Sequence, residues 1–191
     1  MKHFVYFSKN AATSGNFGDL MKAGRMDIAI HSFIQGVFLS HDFRKDVKFH
    51  FVFYGMPDPP KHIEIQVTDE LEISKKDVGN LIKKILYKYR QGEKTEVFPG
   101  CFVEKKSLLK VVEELIESGS EIFLLDKKGE DIRKAEIPNN SVFIIGDQEG
   151  IPLKEMKRLK QIAEPVSVGP QVYFASQVFA IVNNELDRRG I

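Results

Sequence analysis

Strand-length apolar runs alternate along this chain with amphipathic stretches of helical period, and that order leaves few folds open. Runs at about His3–Ser8, Val47–Tyr54, Ile63–Val67, Val97–Val103, Glu121–Leu125, Val142–Gly146 and Glu164–Val168 predict strands. Between them, helical spacing predicts helices at about Asp27–Ser40, Lys76–Arg90, Lys105–Ser118, Leu153–Ile162 and Tyr173–Arg189. The first shows it most plainly, with Ile28, Ile30, Phe33, Ile34, Val37 and Phe38 on one broad face. The expectation is an α/β fold, a mainly parallel sheet flanked by helices, in a single domain over residues 1–191. The stretches Gly55-Met56-Pro57-Asp58-Pro59-Pro60 and Ile137-Pro138-Asn139-Asn140 read as turns rather than linkers.

Composition narrows the function. Apolar runs such as Phe49–Tyr54 fall far short of the roughly 20 residues that a membrane-spanning helix needs. The start, Met1-Lys2-His3-Phe4-Val5-Tyr6-Phe7, lacks a secretory cleavage pattern, so a cytoplasmic protein is expected. Cys101 is the one cysteine and can form neither an internal disulfide nor a thiolate cluster. None of the five histidines (His3, His31, His41, His50, His62) stands at metal-ligand spacing from another, so no metal centre is expected. No Ser-His-Asp order suggests a hydrolase. The near-neutral total, 28 Lys and Arg against 27 Asp and Glu, hides an asymmetry. Lys75–Lys110 holds ten basic against four acidic residues, and Val111–Ile191 ten against fourteen. A basic middle suits an anionic partner, although lysines clustered on a helix also serve as a plain solvated face.

Two strand ends look built for a small ligand. Val142–Gly146 runs into Asp147-Gln148-Glu149-Gly150-Ile151-Pro152, with glycines on both sides of the turn and a proline placed to open a helix. Pro165-Val166-Ser167-Val168-Gly169-Pro170 repeats this before the helix near Tyr173. Ligands of parallel α/β sheets bind at such carboxyl ends, where glycine lets a flat ring approach the backbone. Neither the dinucleotide spacing nor a Walker lysine is present. The segment from Tyr173 to Val182 is almost wholly apolar and predicts a helix covered on several sides, by its own domain or by a second copy. Near the start, Thr13-Ser14-Gly15-Asn16-Phe17-Gly18-Asp19 leads to Gly24-Arg25-Met26-Asp27, where Asp27 is either a helix cap or, with Arg25, a grip on a polar substrate. Arg44 lies in the loop Ser40-His41-Asp42-Phe43-Arg44-Lys45-Asp46.

In order, Thr13–Phe17, Gly24–Asp27, Ser40-His41 with Arg44, Phe143–Asp147 with Gly150, Val168-Gly169-Pro170, Tyr173, Ala175-Ser176 and Asn184–Arg188 resemble the archaeal-type tRNA pseudouridine-54 N1-methyltransferase family, of the SPOUT class. The resemblance runs nearly the whole length. It implies a C-terminal trefoil knot, S-adenosylmethionine as methyl donor, a homodimer, and the T-arm of tRNA as substrate. It also implies a cofactor site of Leu125, Gly146, Asp147, Gly150, Val168, Gly169, Tyr173 and Val178, with Arg25, Asp27 and Arg44 facing the reacting base. Two departures stand out: Glu72–Asp77 where the family has Pro-Asp-Glu-Arg, and Gln177-Val178 where it has His-Cys. Alternatives of the same fold are a methyltransferase for pseudouridine in ribosomal RNA and a non-catalytic RNA-binding dimer.

Overall fold

The strand β1 (Lys2–Ser8) is apolar on both faces, with Phe4 and Tyr6 on one and Val5 and Phe7 on the other, all fully buried. A strand buried on both sides belongs in the middle of a covered sheet. In a computed structural model describing residues 1–191, β1 lies between two parallel neighbours, β2 (Val47–Phe53) and β7 (Ser141–Gly146). The eight-stranded sheet has the order β4-β5-β3-β2-β1-β7-β6-β8. Its outer members are β3 (Lys61–Gln66), β4 (Thr95–Phe98), β5 (Cys101–Glu104), β6 (Glu121–Asp131) and β8 (Glu164–Ser167). The β2-β1-β7-β6-β8 part is parallel and the β2-β3-β5-β4 end antiparallel.

On one face lie α1 (Met26–Val37), α2 (Val78–Tyr87) and α5 (Ala175–Arg189), around the larger core that contains Phe4, Tyr6, Phe49, Phe51 and Phe179. On the other, α3 (Leu108–Glu117) and α4 (Leu153–Ile162) cover Val5, Phe7, Val142 and Ile144. Ser107 caps α3 by accepting the Lys110 N–H. No helix is long and apolar enough to cross a membrane.

Two expectations change. The run Val97–Val103 is a hairpin of β4 and β5, broken at Pro99-Gly100, where Gly100 takes φ 76° and supplies the turn. β6 continues six residues past Leu125 through polar sequence, because Val166 of β8 pairs with both Leu125 and Glu130 and the residues between bulge out. Within its own chain α5 packs through one stripe at helical spacing (Ala175, Val178, Phe179, Val182, Asn183, Leu186). Asn183 donates to the carbonyls of Gln35 and Gly36 at the end of α1, and Arg189 to those of Ala135 and Ile132.

Candidate functional site

The carboxyl ends of β6, β7 and β8 open on a cavity of about 330 Å³. Leu125, Ile145, Val166, Val168 and Val178 make its apolar walls, with Met156 of α4 and Tyr173 across from them. Gly169 sits at φ 147°, and a Cβ there would lie 3.0 Å from the Tyr173 hydroxyl. The glycine therefore keeps open the gap between the loop and the phenol. Ser167 closes this loop on itself: its hydroxyl donates to Gly169 O at 3.1 Å and accepts the Gly169 N–H at 3.2 Å. Asp126 lines the cavity as its acidic member. The Lys128 N–H donated to its carboxylate, and then Lys160 at 3.4 Å, hold its pKa below the usual range. The pocket thus combines apolar walls for a flat ring and a thioether-like chain with a fixed negative charge for a cation or sugar hydroxyls. That donor set fits an adenosyl sulfonium compound.

Five of the eight expected cofactor residues line this cavity: Leu125, Val168, Gly169, Tyr173 and Val178. Gly146, Asp147 and Gly150 do not. A Cβ at Gly146 would meet the Gly150 and Ile151 backbone at 2.9–3.0 Å, so this glycine serves the packing of its own turn; its neighbour Ile145 is the wall. Asp147 accepts the Ser8 hydroxyl at 2.5 Å and the Glu149 N–H at 2.9 Å, which locks the turn onto the end of β1. Burial nevertheless raises its pKa. The departure at Gln177-Val178 is absorbed locally: Val178 packs on the cavity, and Gln177 caps α5 by accepting the Phe174 N–H at 3.0 Å.

Arg25 and Asp27 form a fork, Nε to Oδ1 at 3.0 Å and a terminal nitrogen to Oδ2 at 2.9 Å. The hydrogen bonds that Arg25 donates draw the Asp27 pKa down and raise that of Arg25 itself. Asp27 is not the cap of α1; it lies in the first turn, and the residue before the helix is Arg25, at φ 62° the one non-glycine residue with positive φ. Left-handed backbone in an arginine is uncommon and costs roughly 1–2 kcal/mol. It is enforced from outside: Gly24 packs against Asn10 just beyond β1, and the Ala12 N–H bonds Ala23 O at 3.1 Å. Strain held in this way is a mark of functional positions. Arg44 is elsewhere engaged. Its guanidinium forks Asp187 of α5 with both contacts at 2.6 Å, lowering the Asp187 pKa and tying α5 to the α1–β2 connection.

The loop that carries Gly15 and Phe17 rests on α2. A Cβ at Gly15 would be 2.4 Å from Lys83 O, and the Lys83 ammonium lies over the Phe17 ring. Lys75, Lys76, Lys84, Lys88 and Arg90 are exposed beside it, and none belongs to an ion pair. The basic stretch therefore keeps its charge free for an anionic partner and adjoins the Arg25 loop.

Sequence spacing missed one cluster. On the α3/α4 face, His3 Nδ1 and His50 Nε2 are 2.9 Å apart, His50 Nδ1 and His62 Nε2 2.9 Å, and His62 Nδ1 and Glu104 2.9 Å. The residues sit on different strands, His3, His50 and His62 diagonal in register and Glu104 directly opposite His62, so no linear spacing reveals them. Although His50, His62 and Glu64 converge closely, the facing nitrogens bond each other and Glu64 bonds Lys48 and Lys94. Burial lowers the pKa of His3 to about 4 and that of His50 well below the ordinary value. Between pH 6.5 and 4 the unfolded chain binds protons at these rings that the folded chain does not. The stability of the neutral chain is thus present above pH 6.5 and lost on acidification, at up to roughly 1.4 kcal/mol per pH unit for each such ring. Chemical denaturation between pH 7 and 4.5 should show this slope, and His50→Gln should flatten it. Cys101, by contrast, is buried with its pKa pushed up to about 12, and suits packing rather than reaction.

A parallel sheet that opens an apolar, carboxylate-bearing cleft at its strand ends, in a chain that also carries a free basic surface and a strained Arg–Asp pair, defines an α/β protein built for an adenosyl-type cofactor and an anionic substrate. The chain belongs to the family of SAM-dependent RNA methyltransferases, whose model matches residues 1–191. Relatives named tRNA (pseudouridine(54)-N(1))-methyltransferase include that of Methanococcoides burtonii, 35% identical over 98% of this chain and 96% of its own. That of Pyrococcus abyssi is 32% identical over the whole of both chains. Among solved structures, Nep1 of Archaeoglobus fulgidus bound to S-adenosylhomocysteine superposes with a TM-score of 0.66 at 15% identity, over 100% of this chain and 99% of that one. That likeness is one of fold.

Proposed function

We propose that the chain methylates N1 of pseudouridine in the T-arm of tRNA, with S-adenosylmethionine in the cavity at the ends of β6, β7 and β8. The observation that carries this reading is the cleft bounded by Leu125, Val168, Gly169, Tyr173 and Val178 with the Asp126 carboxylate, in a chain 35% identical to a relative named for that reaction. The bound donor supplies an electrophilic methyl group on a sulfonium sulfur. This chain's residues must position the base, exclude water and remove a proton from N1. Apolar walls around Met156 and Tyr173 exclude water, and Asp126 complements positive charge or ribose hydroxyls. Arg25 and Asp27 face the base: Arg25 stabilises charge on a ring oxygen or holds a phosphate, and Asp27 orients it or accepts the N1 proton. Arg44 belongs to the same substrate-facing set and is forked to Asp187 in the free protein, as Arg25 is to Asp27.

Turning the base out of its stack costs a few kcal/mol. Phosphate contacts from Lys75, Lys76, Lys84, Lys88 and Arg90 offset that cost. Residues 1–191 act as one domain in the cytoplasm. A homodimer and the C-terminal knot belong to the same reading. The dimer is supported by the apolar residues Leu153, Val172 and Phe174, each 75% or more exposed, which a second copy would cover. The test is transfer of labelled methyl from S-adenosylmethionine to three RNAs: a T-arm hairpin with pseudouridine, the same hairpin with uridine, and a ribosomal hairpin with pseudouridine. Incorporation into the first alone is expected. Incorporation into the third alone would favour a ribosomal substrate, and none in any would favour the non-catalytic dimer.

A further inference from the structure

Tyr87, at the end of α2, is 58% exposed. It lies off the stripe through which that helix packs, Val78, Leu81, Ile82, Ile85 and Leu86, so the core does not account for the ring. The ring rests instead on the loop that precedes α1. A Cβ at Gly15 would come within 2.5 Å of Tyr87 Cδ2 and 2.8 Å of Cγ, so only bare backbone can back the phenol this closely. That backing is itself held in place. Two residues before Gly15, the buried Thr13 hydroxyl donates to Gly55 O at 2.8 Å and accepts the Asp58 N–H at 2.9 Å.

Cations surround the ring. Lys83 and Lys84 stand four and three positions before Tyr87, its neighbours on the helix surface, and Lys88 follows it. None of the three enters an ion pair. The Lys83 ammonium lies 5.4 Å from the centre of the half-buried Phe17 ring, which the same loop carries. Interfaces between proteins enrich aromatic rings but exclude lysine. Surfaces that hold unpaired nucleic acid combine the two, ammonium groups for the phosphates and ring faces for the bases.

We infer that Tyr87, backed by Gly15, is a stacking platform for an unpaired base of the RNA, a base other than the one methylated. This deepens the function proposed above and rests on it. Lys84 and Lys88 take the phosphates on either side, and the phenol takes the base. Because every base has a π face, the platform reads where a nucleotide leaves the helix and not which base it carries. It favours an RNA with an open loop over a continuous duplex, whose bases stay stacked on one another.

RNA binding by the full chain tests this, titrated from low to moderate salt with a pseudouridine T-arm hairpin and with a blunt duplex of the same stem. Tyr87→Leu, which keeps an apolar side chain against Gly15, should weaken hairpin binding about tenfold or more. Its affinity for the duplex should stay within about twofold of wild type, and so should that of Tyr87→Phe for the hairpin. Stacking adds no phosphate contact, so the salt slope of Tyr87→Leu should match wild type, whereas Lys84→Ala should lower it by about one. Undiminished hairpin binding by Tyr87→Leu would overturn the inference, and so would equal losses on hairpin and duplex. A loss in Tyr87→Phe as large as in Tyr87→Leu would overturn it by assigning the role to the hydroxyl. A Tm for Tyr87→Leu more than about 5 °C below wild type would overturn it by assigning the ring to packing. Methyl transfer separates this inference from the function it rests on. Wild type that binds the hairpin through Tyr87 but methylates no RNA overturns the function and leaves the platform; methyl transfer by wild type, with Tyr87→Leu binding as wild type does, overturns the platform alone.

Discussion

Gly169→Val is expected to weaken S-adenosylmethionine binding by about 100-fold or more, which corresponds to about 2.7 kcal/mol. A Cβ at this position already meets the Tyr173 phenol, 3.0 Å from its oxygen and 3.4 Å from Cε2, and the valine methyls reach further. The phenol must swing out or the loop must shift, and either change closes the gap between Gly169 and Tyr173 that bounds the cavity. The backbone adds its own penalty, since φ 147° is a region that side-chain-bearing residues avoid. The loop is only half-buried, so the fold should survive. Calorimetry with S-adenosylhomocysteine, beside a thermal melt of the free protein, separates lost affinity from lost structure. Undiminished affinity in a folded variant would place the cofactor elsewhere.

Gly24→Ala should have the largest effect on stability. Its Cβ would sit 1.7 Å from Asn10 O and 2.7 Å from Ala11 N, backbone atoms that cannot rotate away, in a residue at φ 70°. Strain of roughly 1–2 kcal/mol from the dihedral, with the forced separation of two chain segments on top, suggests a total of roughly 3–5 kcal/mol. At about 2–4 °C per kcal/mol for a chain of this size, Tm should fall by roughly 6–20 °C. Gly92→Ala is the control, because Gly92 has φ 82° but open space around it, and should show the dihedral part alone. Where Gly24→Ala still folds at low temperature, Arg25 should lose its left-handed geometry and methyl transfer should fall with it.

Most of the fold is readable from the chain because burial writes itself into apolar runs. β1, buried on both faces, could only be central, and α4 begins and ends where its periodicity does. The failures have physical causes. The β4–β5 hairpin hides in one apolar run, since a turn of two residues interrupts hydrophobicity too briefly to show. The second half of β6 is polar because its pairing with β8, not core burial, makes it a strand.

The candidate site divides along similar lines. Val168 and Gly169, which line the cavity, are legible because topology dictates where a parallel sheet opens, whereas Leu125 is implied by the resemblance alone. Gly146 and Gly150 share the same signal, but their conformations serve a turn that Asp147 pins to Ser8, a contact across 139 positions that no local pattern records. Arg25 was visible by type; its left-handed backbone was not, because Asn10 and Gly24 impose it from separate parts of the chain. The fork between Arg44 and Asp187 joins residues 143 positions apart, which no local pattern records.

The methyl donor is expected in the cleft at the carboxyl ends of β6, β7 and β8. A crystal structure of the protein soaked with S-adenosylhomocysteine examines it directly. Density for the adenine and thioether between Leu125, Val168 and Tyr173, with Asp126 at a polar edge of the ligand, is the result expected. Density on another face of the sheet, or an empty cleft at a concentration that saturates binding in solution, would contradict it.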